Sequence, residues 1–344
     1  MLKIILFTLF ISTSVNAQSL KHKIYGYAQM DWNTSSDSDT KEGFQLKRVN
    51  LINDILLTNN SRFLADVEFE EGTDHTPSSN KGTVKVSRAF YEHSLSQHWK
   101  FQAGKVLTPY GLLNETHDFS IIYLPVNVPL PYRSQKITAS RNARLYSKYT
   151  TGLSFNYKTS NHNRFWDAQL SIGNGSQESD EGTDVNNDKS VAVKQQFKWY
   201  GDSITTNWGT SHFTEGDSTR YGGIGGQRMW SHNTFLGLES DNFQFNLELF
   251  YSKFNTGLTA KQESASGYSV LGYNLSDSTI PYLYYAQSKI DLREKEWNSS
   301  FGIGLAHNIS PAVVIKGEWI RTDQHQNFEE KAIDDWNTTL AISF

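Results

Sequence analysis

The stretch Asp335-Trp336-Asn337-Thr338-Thr339-Leu340-Ala341-Ile342-Ser343-Phe344 decides the fold. One row of alternate positions is mainly apolar and ends on an aromatic residue: Trp336, Thr338, Leu340, Ile342 and Phe344. The other row is polar or small: Asn337, Thr339, Ala341 and Ser343. A period of two is the pattern of a β-strand with one apolar face and one wet face.

The aromatic residue on which this strand ends favours a barrel in a membrane. Chain termini usually fray into water. In a transmembrane barrel, however, the last strand must pair with the first, because no sheet edge can be left in lipid. We therefore expect Phe344 to face lipid at the periplasmic rim, to help close the barrel and to serve as an assembly signal. The expected partner for that signal is the barrel assembly machinery.

The N-terminal residues have the pattern of a secretory signal peptide. Lys3 supplies a positive charge, residues 4–11 form an apolar run, and residues 15–17 form a small-residue cleavage site. The run is too short to span a bilayer, and a buried N-terminal strand is the alternative reading. We predict a signal peptide at 1–17, export through the inner membrane of a Gram-negative cell, and one outer-membrane domain at 18–344.

Composition narrows the class of protein without deciding it. There are no cysteines, so disulfides and thiolate metal sites are excluded, and we expect no metal or cofactor. The chain has 32 basic and 36 acidic residues, a net charge of −4, and this mild acidity argues against a nucleic-acid partner. Aromatic residues make up 13% of the chain, which suits aromatic girdles at two membrane interfaces. A large soluble β-domain would also fit these numbers.

Segments with strand periodicity follow one another along the whole chain. We predict sixteen strands, at 24–32, 44–57, 62–70, 84–93, 99–108, 149–157, 165–173, 191–199, 203–212, 233–239, 243–252, 267–275, 279–288, 299–309, 312–321 and 335–344. Away from a few charged positions, the face opposite the apolar one carries Gly, Ser, Thr, Asn and Gln. A barrel of this size has an interior too wide for side chains to fill, so water fills it and a channel results.

The connections between these strands alternate in length. Short ones follow the even strands, at 59–60, 94–98, 158–164, 200–202, 240–242, 276–278 and 310–311. Longer ones follow the odd strands, at 33–43, 71–83, 109–148, 174–190, 213–232, 253–266, 289–298 and 322–334. Short periplasmic turns and long extracellular loops are typical of an antiparallel outer-membrane β-barrel, whereas a β-sandwich or a propeller has no such alternation.

Three stretches resemble the phosphate-selective porin family. They are GFQLKRVNLIND (43–54) followed by ADVEFE (65–70), VSRAFYEHSLSQHWKFQAGKVLTPYGL (86–112), and GYSVLGYNLSDSTIPYLYY (267–285). The second is the closest, especially its GK-x-x-TP-x-GL segment. The resemblance implies a sixteen-stranded porin that passes small polar solutes and ions, and it suggests a homotrimer. It assigns no residue of this chain as a phosphate ligand.

The connection 109–148 is exceptional in length and content. It holds four of the seven prolines and the apolar run 121–124. Loops this long are usually functional or disordered. Because apolar residues need something to pack against, we predict that this connection folds into the lumen and narrows it. The alternatives are an extracellular lid and a contact with a neighbouring subunit.

Charge is distributed unevenly around this connection. Residues 119–166 contain no Asp or Glu, although the stretch holds several cations. Rings of charged side chains set ion selectivity in pores. We predict a constriction with weak anion preference, formed by Arg133, Lys136, Arg141, Arg144 and Lys148 opposite Asp66 and Glu68 on the barrel wall. Alternatively, these cations bind lipopolysaccharide phosphates at the rim.

Two other function classes compete with a channel. A non-conducting receptor or adhesin barrel has the same strand pattern. An outer-membrane hydrolase would need a nucleophile, a base and an orienting group close together. The pairs His117-Asp118, Ser231-His232 and Asp334-Asp335 offer no such set by spacing, so we do not expect an enzyme. The acidic segment 178–188 lacks the ligand order of a calcium loop and is expected to be a solvated loop.

Overall fold

The computed structural model describes residues 21–37, 42–70, 82–116, 122–132, 135–138, 141–143, 146–174, 189–216, 228–255, 261–289, 292, 297–326 and 329–344. The predicted signal peptide lies outside these residues. Sixteen antiparallel strands form one closed barrel, in which each strand pairs with its neighbours in sequence order. The predicted fold class and strand number are therefore confirmed.

The barrel strands lie close to the predicted ones, and most extend further. They are β1 (Lys21–Ser35), β2 (Gly43–Thr58), β3 (Ser61–Glu70), β4 (Thr83–Ser94), β5 (Trp99–Leu107), β8 (Tyr149–Asn161), β9 (Arg164–Gly173), β10 (Ser190–Tyr200), β11 (Thr205–Gly216), β12 (Arg228–Glu239), β13 (Phe243–Asn255), β14 (Lys261–Tyr273), β15 (Thr279–Lys289), β16 (Asn298–Ser310), β17 (Val313–Gln326) and β18 (Glu329–Ser343).

A few short elements lie in the connection between β5 and β8, apart from the barrel. They are the 3-10 helices Asn114–Thr116 and Leu130–Tyr132, and a small hairpin of β6 (Gln135–Thr138) and β7 (Arg141–Ala143). Among the described residues, no helix is long and apolar enough to span a membrane.

The last strand closes the barrel on the first. Tyr27 of β1 lies opposite Ser343 of β18 in an antiparallel register. Beyond that pair, the Gly26 amide donates to the Phe344 carbonyl at 2.8 Å, and the Phe344 amide donates to the Gly26 carbonyl at 3.0 Å. Phe344 is thus part of the ladder that removes the sheet edge, and its ring is 59% exposed on the outer surface.

Alternation divides each strand between an inner and an outer face. On β13, Glu248 and Ser252 are buried on the inner face, whereas Leu249 between them is 55% exposed on the outer face. The same division holds on β16, where Phe301, Ile303 and Leu305 form an exposed apolar row. An apolar outer face and a polar inner face are the reverse of a soluble barrel and suit a barrel surrounded by lipid.

Aromatic rings form a band on the outer face near the short turns. Trp99 packs on Tyr157 with ring centroids 4.9 Å apart. Trp166 stacks on Phe197 at 5.9 Å, and Phe197 stacks on Trp208 at 4.6 Å. These residues come from consecutive strands β5 and β8 to β11. A belt of this kind is typical of a membrane–water interface.

The predicted long connection 322–334 was wrong. β17 continues to Gln326 and β18 begins at Glu329, so only 327–328 join them. The cause is that these strands continue beyond the apolar band. There the outer face carries Arg321 and Asp323, so the polarity pattern of a strand is lost although the ladder continues. The predicted loop 253–266 is shortened in the same way.

Candidate functional site

The connection that follows β5 lies against the inner face of the barrel wall. Tyr110 and Ser231 share a hydrogen bond between their hydroxyl groups, and both side chains are buried. The Gly111 amide donates to the Ser211 hydroxyl at 2.9 Å. Ser211 and Ser231 belong to the inward rows of β11 and β12, so the chain around Tyr110 contacts the wall from inside.

Glu248 of β13 is the main point of attachment for this connection. The Leu112 amide donates to it at 2.6 Å, and the Tyr132 hydroxyl lies 2.8 Å from both carboxylate oxygens. Asn233 donates at 3.0 Å and the Tyr268 hydroxyl also donates. Burial and the neighbouring carboxylate raise the pKa of Tyr132 well above its ordinary value, so its hydroxyl stays protonated and donates. These donors satisfy the hydrogen-bonding capacity of a carboxylate that has no exposed surface.

A second attachment joins the connection to β17. The Val126 amide donates to the Glu318 carboxylate at 3.3 Å, and the Tyr282 hydroxyl donates to the same oxygen at 3.0 Å. The Lys316 ammonium donates to the Tyr123 carbonyl. Two inward side chains that alternate along one strand therefore hold the backbone of residues 123–126.

A third attachment involves Glu115, in the first 3-10 helix. It forms an ion pair with Lys194 of β10, whose side chain is only 2% exposed, and Gln169 donates to it at 2.8 Å. Burial alone would raise the pKa of the Glu115 carboxyl. Lys194 and Gln169 outweigh that effect and hold the pKa below its ordinary value. The Glu115 carboxylate therefore stays ionised at neutral pH, and the pair fixes the start of the connection to the wall.

An apolar core fills the space between the connection and strands β10 to β17. Tyr110 stacks on Tyr146 at 4.6 Å, and the Tyr132 ring meets Phe250 edge-on at 5.4 Å. Buried members of this core also include Leu124, Phe213, Met229, Phe254, Tyr268, Tyr282, Tyr284 and Ile320. The described parts of the connection are thus packed like a protein interior, on one side of the lumen.

The opposite wall, formed by β2 to β5 with β8 and β9, carries a series of ion pairs, and a small buried apolar cluster of Ile52, Leu64, Phe90 and Val106 lies among them. The first ion pair joins Arg88 of β4 to Asp66 of β3. The guanidinium donates to one carboxylate oxygen at 2.9 and 3.1 Å, and Asn50 donates to the other at 2.9 Å. These contacts satisfy a carboxylate that has no exposed surface.

Glu68 lies two residues further along β3 and has its own set of partners. Arg48 of β2 approaches it at 3.3 Å, and the Ser87 hydroxyl donates to it. The Lys85 ammonium is 3.8 Å from Glu68 and also pairs with Glu70. Asp66 and Glu68, the two acids that the sequence places on this wall, therefore each pair with a cation from a neighbouring strand.

The wall continues towards the short turns in the same manner. Glu92 of β4 accepts from Arg62 at 3.0 Å, Lys100 at 3.2 Å and Gln102 at 2.8 Å. On the next strands, Lys158 pairs with Asp167 at 3.0 Å. The ion pairs therefore run from the loop end of the barrel to the turn end.

The cation is the more exposed partner in these pairs. The exposed side-chain fractions of cation and carboxylate are 21% and 0% for Arg88–Asp66, 40% and 0% for Lys85–Glu68, 44% and 7% for Lys100–Glu92, and 47% and 7% for Lys158–Asp167. The carboxylates lie against the wall and the cations lie over them. A wall that is formally neutral therefore presents positive charge to the lumen.

The structure describes the side chains of three of the residues that the sequence grouped as a constriction. Asp66 and Glu68 are on the inner wall. The ammonium of Lys148 lies 5.5 Å from the centroid of the Tyr149 ring, at the foot of the connection. Arg133 and Arg144 are outside the described residues, as are the side chains of Lys136 and Arg141. The sequence analysis overlooked the partners of the two acids. Alternation along β2 points Arg48 inward, whereas Lys85 and Arg88 of β4 reach the same face only because a bulge lies between them.

The structure does not bring together the residues considered for hydrolysis. Ser231 faces inward, where it bonds to Tyr110 and to Ser252. His232 faces outward, and its ring nitrogen lies 3.2 Å from that of His212. Because successive residues of a strand point to opposite faces, these two cannot act as nucleophile and base. Asp334 and Asp335 alternate in the same way, and His117-Asp118 lies outside the described residues.

No protein-family model matches the sequence, and no curated protein matches it. Solved structures match over nearly the whole chain. A loop-deletion form of OmpT, an outer membrane protein of Vibrio cholerae, is 10% identical with a TM-score of 0.65, covering 95% of this chain and 100% of that one. An anion-selective porin from Comamonas acidovorans is 12% identical with a TM-score of 0.65, covering 94% of this chain and 100% of that one.

OmpF of Salmonella typhi, in complex with daunomycin, is 12% identical with a TM-score of 0.63, covering 94% of this chain and 98% of that one. At these identities the likeness establishes the fold, a porin-like closed barrel of sixteen strands. The phosphate-selective family that the sequence motifs suggest is not identified by these comparisons.

Proposed function

We propose that this chain is an outer-membrane porin, a passive diffusion channel for small hydrophilic solutes and ions with a weak preference for anions. The closed barrel, its apolar outer face and its aromatic band support a membrane location. Its structural neighbours include proteins described as an outer membrane protein and an anion-selective porin. The expected orientation has the short turns in the periplasm.

The single observation that carries the anion preference is the layering of charge on the wall. Lys85, Arg88, Lys100 and Lys158, each more exposed than its partner, lie over buried carboxylates, across the lumen from the packed connection. Low-dielectric walls focus the field of the nearer charges, so an anion in the water meets positive charge first. The buried acids cancel much of this field at longer range, which keeps the preference weak.

The connection 109–148 is proposed to set the narrowest point. Its cations Arg133, Lys136, Arg141, Arg144 and Lys148 would add to the positive field. No dedicated phosphate site is proposed, because the wall cations named above are each shared with a carboxylate. The family resemblance further suggests trimers, and one OmpT structure is described as a trimer form. Lipopolysaccharide and the barrel assembly machinery are the proposed cellular partners.

A planar bilayer experiment tests the channel and its selectivity together. Purified wild-type protein should give stable open channels without a ligand, and a KCl gradient should give a reversal potential of the sign expected for anion preference. Lys100→Gln with Lys158→Gln removes two exposed cations and should shift the potential towards cations. Lys253→Gln is the matched control, because Lys253 lies on the outer face in a pair with Glu263. Cation preference in the wild type would refute the proposal.

A non-conducting receptor or adhesin barrel is the second candidate. The observation in its favour is the apolar core that occupies one side of the lumen. If the connection fills the remaining space as well, no ion path is left. Absence of conductance from protein that circular dichroism shows to be folded would select this alternative. A hydrolase is not proposed, because the candidate residues on the described strands point to opposite faces.

A further inference from the structure

The outer face of β13 to β15 carries a groove of about 310 Å³. Its floor is a row of small residues on β14: Ala265, Gly267 and Ser269. Leu247 and Leu249 of β13 form one side, Tyr285 and Gln287 of β15 form the other, and Trp297 lies at the end nearest the long connections. The groove therefore runs along a strand, on the surface that faces away from the lumen.

The sides of the groove project because the floor is low. Leu249 is 55% exposed and Tyr285 is 44% exposed, whereas Gly267 between them has no side chain. A Cβ atom at Gly267 would lie 2.9 Å from the nearest methyl group of Leu249, so Leu249 leans over the glycine. The groove is a shaped feature of three neighbouring strands.

The depth of the groove decides what can occupy it. Tyr273 ends β14 at the short turn, and Ser269 and Ala265 lie four and eight residues before it. A membrane-spanning strand needs about 9–11 residues, so the floor lies in the half of the apolar band towards the long connections. The surroundings there are hydrocarbon. Its outward lining is mainly apolar and aromatic, and the few polar groups, such as those of Ser269 and Gln287, are too few to hold a file of water.

The upper end of the groove has a cation. The Lys289 ammonium lies 5.6 Å from the centroid of the Trp297 ring, and the residue is only 8% exposed. Among the described residues, none forms an ion pair or hydrogen bond with this ammonium. Lys253 on the same face is different, because Glu263 neutralises it at 3.0 Å. An apolar slot beneath a cation is complementary to a lipid that has an acyl chain and a phosphate.

We propose that this groove binds one acyl chain of an outer-leaflet lipopolysaccharide, with Lys289 neutralising a phosphate of its headgroup. The proposal rests on the proposed outer-membrane location and orientation. It differs from binding at the loop cations, because the residues involved are on the wall of β13 to β15. We assign lipopolysaccharide as the occupant, since the slot opens towards the leaflet on the side of the long connections.

Native mass spectrometry of protein purified from outer membranes in mild detergent tests this. Wild-type protein should retain lipopolysaccharide. Ala265→Phe fills the slot and should abolish retention. Lys289→Gln should weaken it about fivefold, the effect of one basic residue near an anionic membrane surface. The matched controls are Ala168→Phe, which enlarges another half-buried outward alanine, and Lys253→Gln. Both should retain lipid as the wild type does.

The other outcomes overturn the proposal. Equal retention by Ala265→Phe and the wild type would exclude the slot, and so would retention of zwitterionic phospholipid in place of lipopolysaccharide. Conductance measured on the same preparations separates this test from that of the channel, because Ala265 faces away from the lumen. A variant that conducts normally and loses lipid supports the groove. A wild type that conducts and carries no lipid refutes the groove and leaves the channel intact.

Discussion

Arg88 covers Asp66 on the inner wall: two guanidinium nitrogens donate to one carboxylate oxygen at 2.9 and 3.1 Å, and the acid has no exposed surface. The cation separates the carboxylate from the lumen. This arrangement gives the wall positive charge on its water side without leaving an uncompensated charge inside the barrel.

Replacement of Arg88 by methionine should destabilise the barrel. Asp66 would lose the guanidinium that covers it, and breaking a buried ion pair by removing one partner costs about 3–5 kcal/mol. The free energy of unfolding, measured by urea titration in detergent, should fall by this order. The double variant Arg88→Met with Asp66→Asn should recover much of the loss, because no unpaired charge then remains. A double variant as unstable as the single one would contradict the pairing.

Much of the fold followed from the sequence because strand periodicity is a local property. The sixteen strands and their closure depend on which face of each strand is apolar, and the alternation along 335–344 records that directly. The ends of β17 and β18 were missed for a physical reason. Outside the apolar band the outer face no longer needs apolar residues, so the pattern that marks a strand disappears before the strand ends.

The site was less predictable because it depends on register between strands. Asp66 and Glu68 could be assigned to the inner face from β3 alone. Their partners Arg88 and Arg48 come from β4 and β2, and the pairing requires knowing which residues lie opposite one another. A bulge between Asp66 and Val67 shifts that register. The attachment of the connection to Glu248 joins residues 116 to 136 positions apart, which no local pattern reveals.

Tyr132→Phe should loosen the connection. The lost hydrogen bond is made to a carboxylate, and such bonds contribute about 1.5–3 kcal/mol. A loss of about 1.4 kcal/mol makes the detached form of the connection about tenfold more populated. Trypsin cleavage after Arg133 or Lys136 should therefore become about 10- to 100-fold faster. The matched control is Tyr157→Phe in the outer aromatic band, which should leave the rate unchanged. Equal rates in all three proteins would show that Glu248 does not hold the connection.

The loop cations should contribute to selectivity if the connection narrows the lumen. Arg141→Glu with Arg144→Glu should move the reversal potential towards cation preference in 0.1 M KCl, where the Debye length is about 10 Å. At 1 M the length is about 3 Å and the shift should shrink. A potential that stays unmoved at low salt would assign these residues to the rim.

Phe344→Asp should impair assembly. The side chain of Phe344 is on the outer face, where a charge is destabilising in a depth-dependent way, up to about 2–4 kcal/mol for a basic residue at the midplane and less for an acid near the rim. The yield of heat-modifiable, protease-resistant barrel should fall. Ser343→Asp is the matched control, since Ser343 faces inward one residue away and should tolerate the charge. Normal assembly of the Phe344 variant would count against the assembly signal.

The pair Glu115–Lys194 should make attachment of the connection depend on pH. The folded pKa of Glu115 is held below its ordinary value, so the pair contributes fully above that ordinary value. The contribution is lost as pH falls through the folded pKa.

At pH 7, Glu115→Gln should be less stable than the wild type by about 1.5–3 kcal/mol, the range for a hydrogen bond to a charged group. The difference, measured as the free energy of unfolding, should disappear in strong acid, where the wild-type carboxyl is protonated too. The matched control is Glu263→Gln, on the outer face in a pair with exposed Lys253, which should leave the free energy of unfolding nearly unchanged at pH 7. A difference between Glu115→Gln and the wild type that persists unchanged at low pH would show that charge is not what holds this contact.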